Sequence, residues 1–316
     1  VKLEAFHMGN WVVKAIAQGV ISLLPKSEVW HYQIQKHLTA SAGLDEKNFE
    51  HKLQLASRQL AYYRQFAGKA DFNVLELGTG YLPVVPIALH LCGAGKVRTV
   101  DKVRLLNLAT TRETLSFFTA YAKNGRLSHL LPGASPARVE AMAGIGIDGS
   151  ACVEQLLQAA GVEYLVADAR KLAIDGSSVD FIFSNAVLRD IPEAVLEEIF
   201  QEFYRVLAPQ GVMAHNVVLE DHYADYDRSI SVYNFLKYPK WSWRLFNNSL
   251  HYQNRLRITD YRRLHDRTGF RILAQDDTIG PKEVLQSIRL APEFRSYTPE
   301  DLAVVRSWMI STRSRI

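Results

Sequence analysis

From residue 72 onward, short runs of β-branched and apolar residues alternate with stretches of helical periodicity. That alternation predicts an α/β fold with a parallel sheet covered by helices on both faces, because a strand buried on two sides reads as a nearly continuous apolar run. Strands are expected near 72–77, 97–100, 162–166, 179–184, 211–219, 270–275 and 303–310, with helices over roughly 84–91, 104–122, 150–160, 193–207 and 259–267. Residues 9 to 70 read as helical instead. Val12, Val13, Ile16, Val20 and Leu23 recur at helical spacing, and apolar and aromatic periodicity resumes after Pro25 through Tyr62 and Phe66. This predicts a helical cap, which either packs on the core or also closes over a ligand; the aromatic cluster Trp30, His31 and Tyr32 is the part of it to watch. The stretch 130–150 carries Gly and Pro throughout and reads as an insertion or a mobile connection.

Composition narrows the class. A chain of 316 residues with 48% hydrophobic residues can bury a substantial core, which excludes global disorder. The 37 Lys and Arg against 33 Asp and Glu give a formal charge of +4 without a long basic block, so no nucleic-acid partner is expected. Cys92 and Cys152 lie far apart with no ligand-spaced neighbours; two buried thiols of a cytoplasmic protein are expected, with neither disulfide nor metal. The apolar stretch from Trp11 to Leu24 is interrupted by Lys14, Gln18 and Ser22, too short for a bilayer, and lacks a cleavage signature, so neither membrane nor secretion is expected.

The chemistry begins at FNVLELGTGYLPVVPIAL, residues 72–89, which reads as a strand, a glycine turn and a helix opened by Pro83 and Pro86. Gly78 and Gly80 would let the backbone pass close to a nucleotide. A dinucleotide would bring a pyrophosphate, favouring bare amides and a helix N-terminus. S-adenosyl-L-methionine (SAM) brings an ammonium and a sulfonium, favouring a carboxylate, and Glu76 stands two residues before Gly78. Asp101 ends the next strand, where it can accept from both ribose hydroxyls. Asp168 ends the third, where it can accept the adenine amino proton while the Ala169 amide serves a ring nitrogen. Three acids at consecutive strand ends point to SAM more strongly than a lone glycine pair does.

VLELGTG, TVD, VADAR, VDFIFSNAVLRDIP and RVLAPQG resemble, in this order, the motifs of class I SAM-dependent methyltransferases, over roughly residues 72–220. The resemblance implies a Rossmann-like, seven-stranded, mostly parallel sheet whose last strand is antiparallel, with SAM across the carboxyl ends of the first strands. It implies that Glu76, Gly78 and Gly80 hold the methionine part, Asp101 the ribose and Asp168 the adenine, and that Asn185 lies under the sulfonium side; Thr79, Tyr81, Lys102 and Ala169 are expected to bind the cofactor beside them. The chain then divides into a cap (1–70), a SAM-binding core (71–220), a substrate-side excursion (221–258) and a completion of the sheet (259–316). Two positions depart from the pattern: Leu82 and Pro83 replace the usual small residue after the turn, and Leu188, Arg189 and Asp190 stand where small-molecule members often carry Leu-Glu-His.

Residues 215–257 are dense in His, Asp, Tyr, Trp and Asn and follow the fifth strand, which makes them the expected acceptor side. His215, Asp221 and His222 are candidate general bases, and Tyr32, Tyr81 and Tyr223 candidate aromatic neighbours of the sulfonium. His251, Tyr252, Asn254 and Arg255 can equally be read as satisfying backbone groups. The expected activity is methyl transfer to a small molecule, such as a natural-product or sugar-like acceptor in biosynthesis. Two alternatives stay open. One is a SAM-consuming cyclisation like that of azetidine-2-carboxylate synthases, releasing methylthioadenosine; the other is a module that binds SAM without turnover. The oligomeric state is not legible.

Overall fold

The computed structural model describes residues 10–22, 44–146 and 152–314. Seven strands form one sheet: β1 (Val74–Leu77), β2 (Val97–Asp101), β3 (Val162–Val166), β4 (Val179–Asn185), β5 (Leu207–Val218), β6 (Phe270–Ile279) and β7 (Val304–Arg313). Their order is β3-β2-β1-β4-β5-β7-β6. The first five run parallel, and β7 is antiparallel to both β5 and β6. The expected strands and the helices Val84–Leu91, Glu193–Val206 and Ile258–Arg267 appear at or near their predicted bounds. β6 runs on through Gln275, Asp276, Asp277 and Thr278, which carry no apolar signal; as the sheet's last strand it takes its pairing from β7.

Side chains alternate across the sheet and divide the core in two. Val74, Val97, Phe181, Phe183, Val212 and Ala214 face one layer, and Leu75, Val100, Ile182, Met213 and Val217 the other. The helix Glu46–Phe66, capped by Asp45 accepting from the Asn48 amide at 2.7 Å, covers the first layer. Its Phe49, Leu53, Ala56, Leu60 and Tyr63 recur at helical spacing and are buried there.

The helix Asn10–Ser22 does something different. Trp11 and Ala15 pack in a third cluster with Tyr223, Tyr233 and Phe235 of the excursion after β5, so this part of the expected cap buttresses the excursion. The fully buried Arg257 ties the excursion to β7, donating to the carbonyls of Leu219, Leu302 and Val304 at 2.8, 3.0 and 2.5 Å. The stretch 130–150 expected to be an insertion or mobile connection begins at the end of the short helix Arg126–Leu130 and contains the helix Pro136–Ala143; its residues 147–150 lie outside the described ones. Buried Leu131 and Met142 dock it on the first layer. Cys92 is buried as expected, whereas Cys152 is only half-buried.

Candidate functional site

The acids at the strand ends form a staircase set by register. Glu76 pairs with Thr99, so Asp101 stands two residues further along the strand direction; Asp101 pairs with Val166, so Asp168 stands two residues further again. Burial follows the steps: Glu76 is 3% exposed, Asp101 7%, and the Asp168 side chain 43%. At the bottom, Glu76 Oε2 accepts from Thr99 Oγ1 at 2.8 Å and Thr79 Oγ1 at 3.0 Å. Burial nevertheless pushes its pKa up to about 7, outweighing both hydroxyls. Burial likewise raises Asp101 to about 6, against a hydrogen bond from the Gly80 amide, and its Oδ2 is buried with no partner. At the rim, Asp168 pairs with Arg170 (Nη2 to Oδ2, 2.6 Å), which holds its pKa near 2. That carboxylate is already engaged.

The two glycines of the turn serve different ends. Both have left-handed backbones, with φ of 80° at Gly78 and 69° at Gly80. A Cβ on Gly78 would lie 2.4 Å from a methyl carbon of Val187, so a side chain there would meet the protein, while the glycine itself borders the first and second cavities. A Cβ on Gly80 would meet nothing within 4 Å; it borders open space.

Three cavities run along these strand ends. The first, about 370 Å³, is lined by Asp101, Lys102, Asp168, Ala169, Ile191 and Ile199 among others. The second, about 310 Å³, is lined by Glu76, Thr79, Gly80, Tyr81, Lys52 and Asn185. Gly78, Val187 and Asp190 border both. The third, about 230 Å³, shares Asn48, Lys52, Leu55, Asn185 and Ala186 with the second and adds Arg189, Asn216, Glu220, Asp225 and Arg306. Every residue expected to hold SAM thus lines the first or second cavity. Ala186, between the second and third, has φ of 62°, a strained conformation for a residue with a Cβ, and its amide donates to Asn216 O.

Helix Glu46–Phe66 contributes what sequence reasoning missed. Asn48, Lys52, Leu55 and Gln59 form a stripe beside its core face. The first three line the cavities; Gln59 Nε2 donates to Asn185 Oδ1 at 3.1 Å. Burial lowers the pKa of Lys52, opposed by the charge of Glu76. The only available signal was polar residues at helical spacing next to an apolar stripe, which a solvated face shows as well.

The expected catalytic residues fare differently from the cofactor set: among those described, none lines any of the three cavities. His215 pairs in register with Ser184 and bonds its Oγ at 2.8 Å; it is fully buried against Phe200 and Phe203, and burial drives its pKa down to about 3. It sits on the second layer's face, opposite its neighbour Asn216. Asp221 caps a turn, accepting from the Tyr223 amide at 2.8 Å and from Asn234 at 3.1 Å. Tyr223 is buried against Trp11 and donates to Phe246 O. His222 comes nearest, its Nε2 3.2 Å from Asp190 Oδ1, so it backs a residue that borders the first and second cavities; burial lowers its pKa. Tyr32 lies outside the described residues. Asn254 and Arg255 satisfy backbone carbonyls: Asn254 those of Leu188 and Ile191, Arg255 those of Phe235 and Tyr238. No helix among the described residues is long and apolar enough to cross a membrane.

The family described as a methyltransferase domain matches residues 133–215, a span that takes in β3 and β4 and begins after the glycine turn. Solved structures that the chain resembles include a protein from Pyrococcus horikoshii (14% identity over 90% of this chain and 99% of that one, TM-score 0.48). Others are a SAM-dependent methyltransferase from Methanosarcina mazei (16%, 78% and 95%, 0.41) and one from Leishmania major (10%, 95% and 82%, 0.44). No curated protein matches the sequence. Within this seven-stranded, mostly parallel sheet, the segment from residue 133 to 215 is therefore similar to a methyltransferase domain.

Proposed function

We propose that this chain is a class I SAM-dependent methyltransferase and moves the methyl group of SAM to a small molecule held in the third cavity. The observation that carries the proposal is the continuity of the three cavities, with Asn185 and Ala186 shared at the junction where donor and acceptor would meet. The first two suit SAM in shape and charge. Asp101 presents a buried oxygen without a partner to a ribose, and Gly80 leaves open space beside the turn. Glu76 and Lys52, opposite charges lining one cavity, match the ammonium and carboxylate of an amino-acid tail. Asp168 and the Ala169 amide would border the adenine, Arg170 having to share the carboxylate.

Bound there, SAM supplies a methyl carbon already activated by a positively charged sulfur. The remaining task for the protein is alignment and exclusion of water. Asn48, Lys52 and Leu55 roof the junction from the helix above it, and Gln59 fixes the Asn185 amide beneath. Where the acceptor must lose a proton, Glu220 is the better base than His215 or His222: it lines the third cavity, and burial raises its pKa.

The test is to incubate the purified protein with SAM, with and without a mixture of small-molecule acceptors, and to identify the nucleoside product by mass spectrometry. Adenosylhomocysteine formed only when acceptors are present supports the proposal. Methylthioadenosine from SAM alone overturns it in favour of cyclisation, and binding without either product leaves a non-catalytic module.

A further inference from the structure

We infer that the third cavity selects an acceptor bearing a carboxylate, and that Arg189 is the residue that reads it. The inference rests on the reading of that cavity as the acceptor site and adds the chemical class of its occupant.

Arg189 lies in the short turn Leu188–Asp190 after β4, with its side chain only 14% exposed. Its Nε and Nη1 are buried and have no hydrogen-bond partner. The carboxylates nearest to it, Asp225 and Asp190, stand 3.9 and 4.0 Å away, too far to accept a hydrogen bond. Burial lowers its pKa, so the charge is held there at a cost that Asp190, Asp225 and Glu220 offset only in part. The other buried guanidinium groups among the described residues are anchored: Arg255 and Arg257, the latter with only its Nε lacking a partner, each donate to backbone carbonyls. Arg189 is the exception, and it faces a cavity.

The other orphaned atoms there complete a polar cradle. Asn185 Nδ2 is a buried donor and Asn216 Oδ1 a buried acceptor, both without partners, and both residues line the same cavity. They are brought together by register, since Asn185 pairs with Asn216 across β4 and β5. A planar guanidinium fork fits the two oxygens of a carboxylate. Charge decides against a dianion such as phosphate: Arg189 and Arg306 face Glu220 and Asp225 in the same cavity, and Lys52 is already matched to the carboxylate of the SAM tail, so no surplus of cations is left for a second negative charge. The volume of about 230 Å³ is below that of pockets that enclose drug-sized ligands, so the occupant is a small metabolite.

The experiment uses the full chain saturated with adenosylhomocysteine and titrates acetate, acetamide and inorganic phosphate by ligand-observed NMR. Acetate should bind in the millimolar range, acetamide at least about tenfold more weakly, and phosphate no more tightly than acetate. Arg189→Gln should abolish the preference for acetate over acetamide, and Arg189→Lys, which keeps the charge and loses the fork, should retain part of it; both should still bind adenosylhomocysteine, which also reports that they fold. Arg306→Gln provides a second variant should Arg189→Gln not fold, and should weaken acetate less than Arg189→Lys does. Equal binding of acetate and acetamide, or a preference unchanged in these variants, overturns the inference while leaving the methyltransferase reading intact. Failure of the native chain to bind adenosylhomocysteine strikes that reading instead.

Discussion

Replacing Glu76 by glutamine should stabilise the ligand-free protein and weaken its site in one step. The carboxyl is buried at the foot of the cleft, and its pKa in the folded chain, about 7, lies above its ordinary value of 4.5. Between those values the folded chain holds a proton that the unfolded chain has released. The associated stability is therefore fully present below pH 4.5 and is lost as the pH rises through 7. At 1.36 kcal/mol for each tenfold change in proton affinity, the loss by pH 8 is about 3 kcal/mol. Glutamine is neutral throughout and keeps an oxygen for Thr79 and Thr99. The difference in stability between variant and native chain should thus be small at pH 5 and grow to about 2–3 kcal/mol in the variant's favour at pH 8. Urea unfolding at the two pH values, with an unchanged slope, reads it directly. Calorimetry at pH 8, where the native carboxylate is ionised, should show SAM binding weakened by about tenfold or more. A stability difference that does not change with pH, or undiminished SAM affinity, refutes the reasoning.

Other expectations concern the neighbouring residues. In the native chain, SAM affinity should climb by up to about tenfold per pH unit between pH 5.5 and 7 and level off above, because the ammonium favours the ionised Glu76; a flat profile by calorimetry counts against the assignment. Asp101→Ala should weaken SAM binding by about tenfold or more, since it removes the unpartnered buried oxygen offered to the ribose; unchanged affinity contradicts that contact. His215→Ala should cost about 2–4 kcal/mol of stability in urea while kcat per folded molecule holds, and a selective loss of kcat would return His215 to the chemistry. Ala186→Gly should leave stability unchanged or raise it by up to about 1 kcal/mol by relieving the left-handed backbone, and a loss above 1 kcal/mol would show that the methyl group packs.

The strand ends that line the first two cavities were legible because their residues are tied to features that the local sequence specifies. A strand ending in an acid, a glycine turn and a following helix occupy consecutive positions, so Glu76, Gly78, Gly80 and Asp101 arrive together wherever the parallel sheet forms. The clash that a Cβ on Gly78 would make was not legible, because Val187, in the turn after β4, lies more than 100 residues away. Which residues after β4 face the cavities was not legible, for a related reason. His215 and Asn216 are adjacent in sequence, and a histidine is the more obvious catalytic candidate, yet a strand sends neighbours to opposite faces.

The amino-acid sequence by itself determined the α/β class, the positions of seven strands, the glycine turn and the acids that end three strands, because hydrophobic period and turn chemistry act over a few residues. Tertiary structure alone decided the rest. The register of β4 on β5 turned Asn216 toward the cleft and His215 into the core. The seating of helix Glu46–Phe66 brought Lys52 over Glu76, and the turn after β4 left Arg189 buried without a partner beside β5 and β7. Facing, pairing and burial depend on segments far apart in the chain, and no local pattern carries that information.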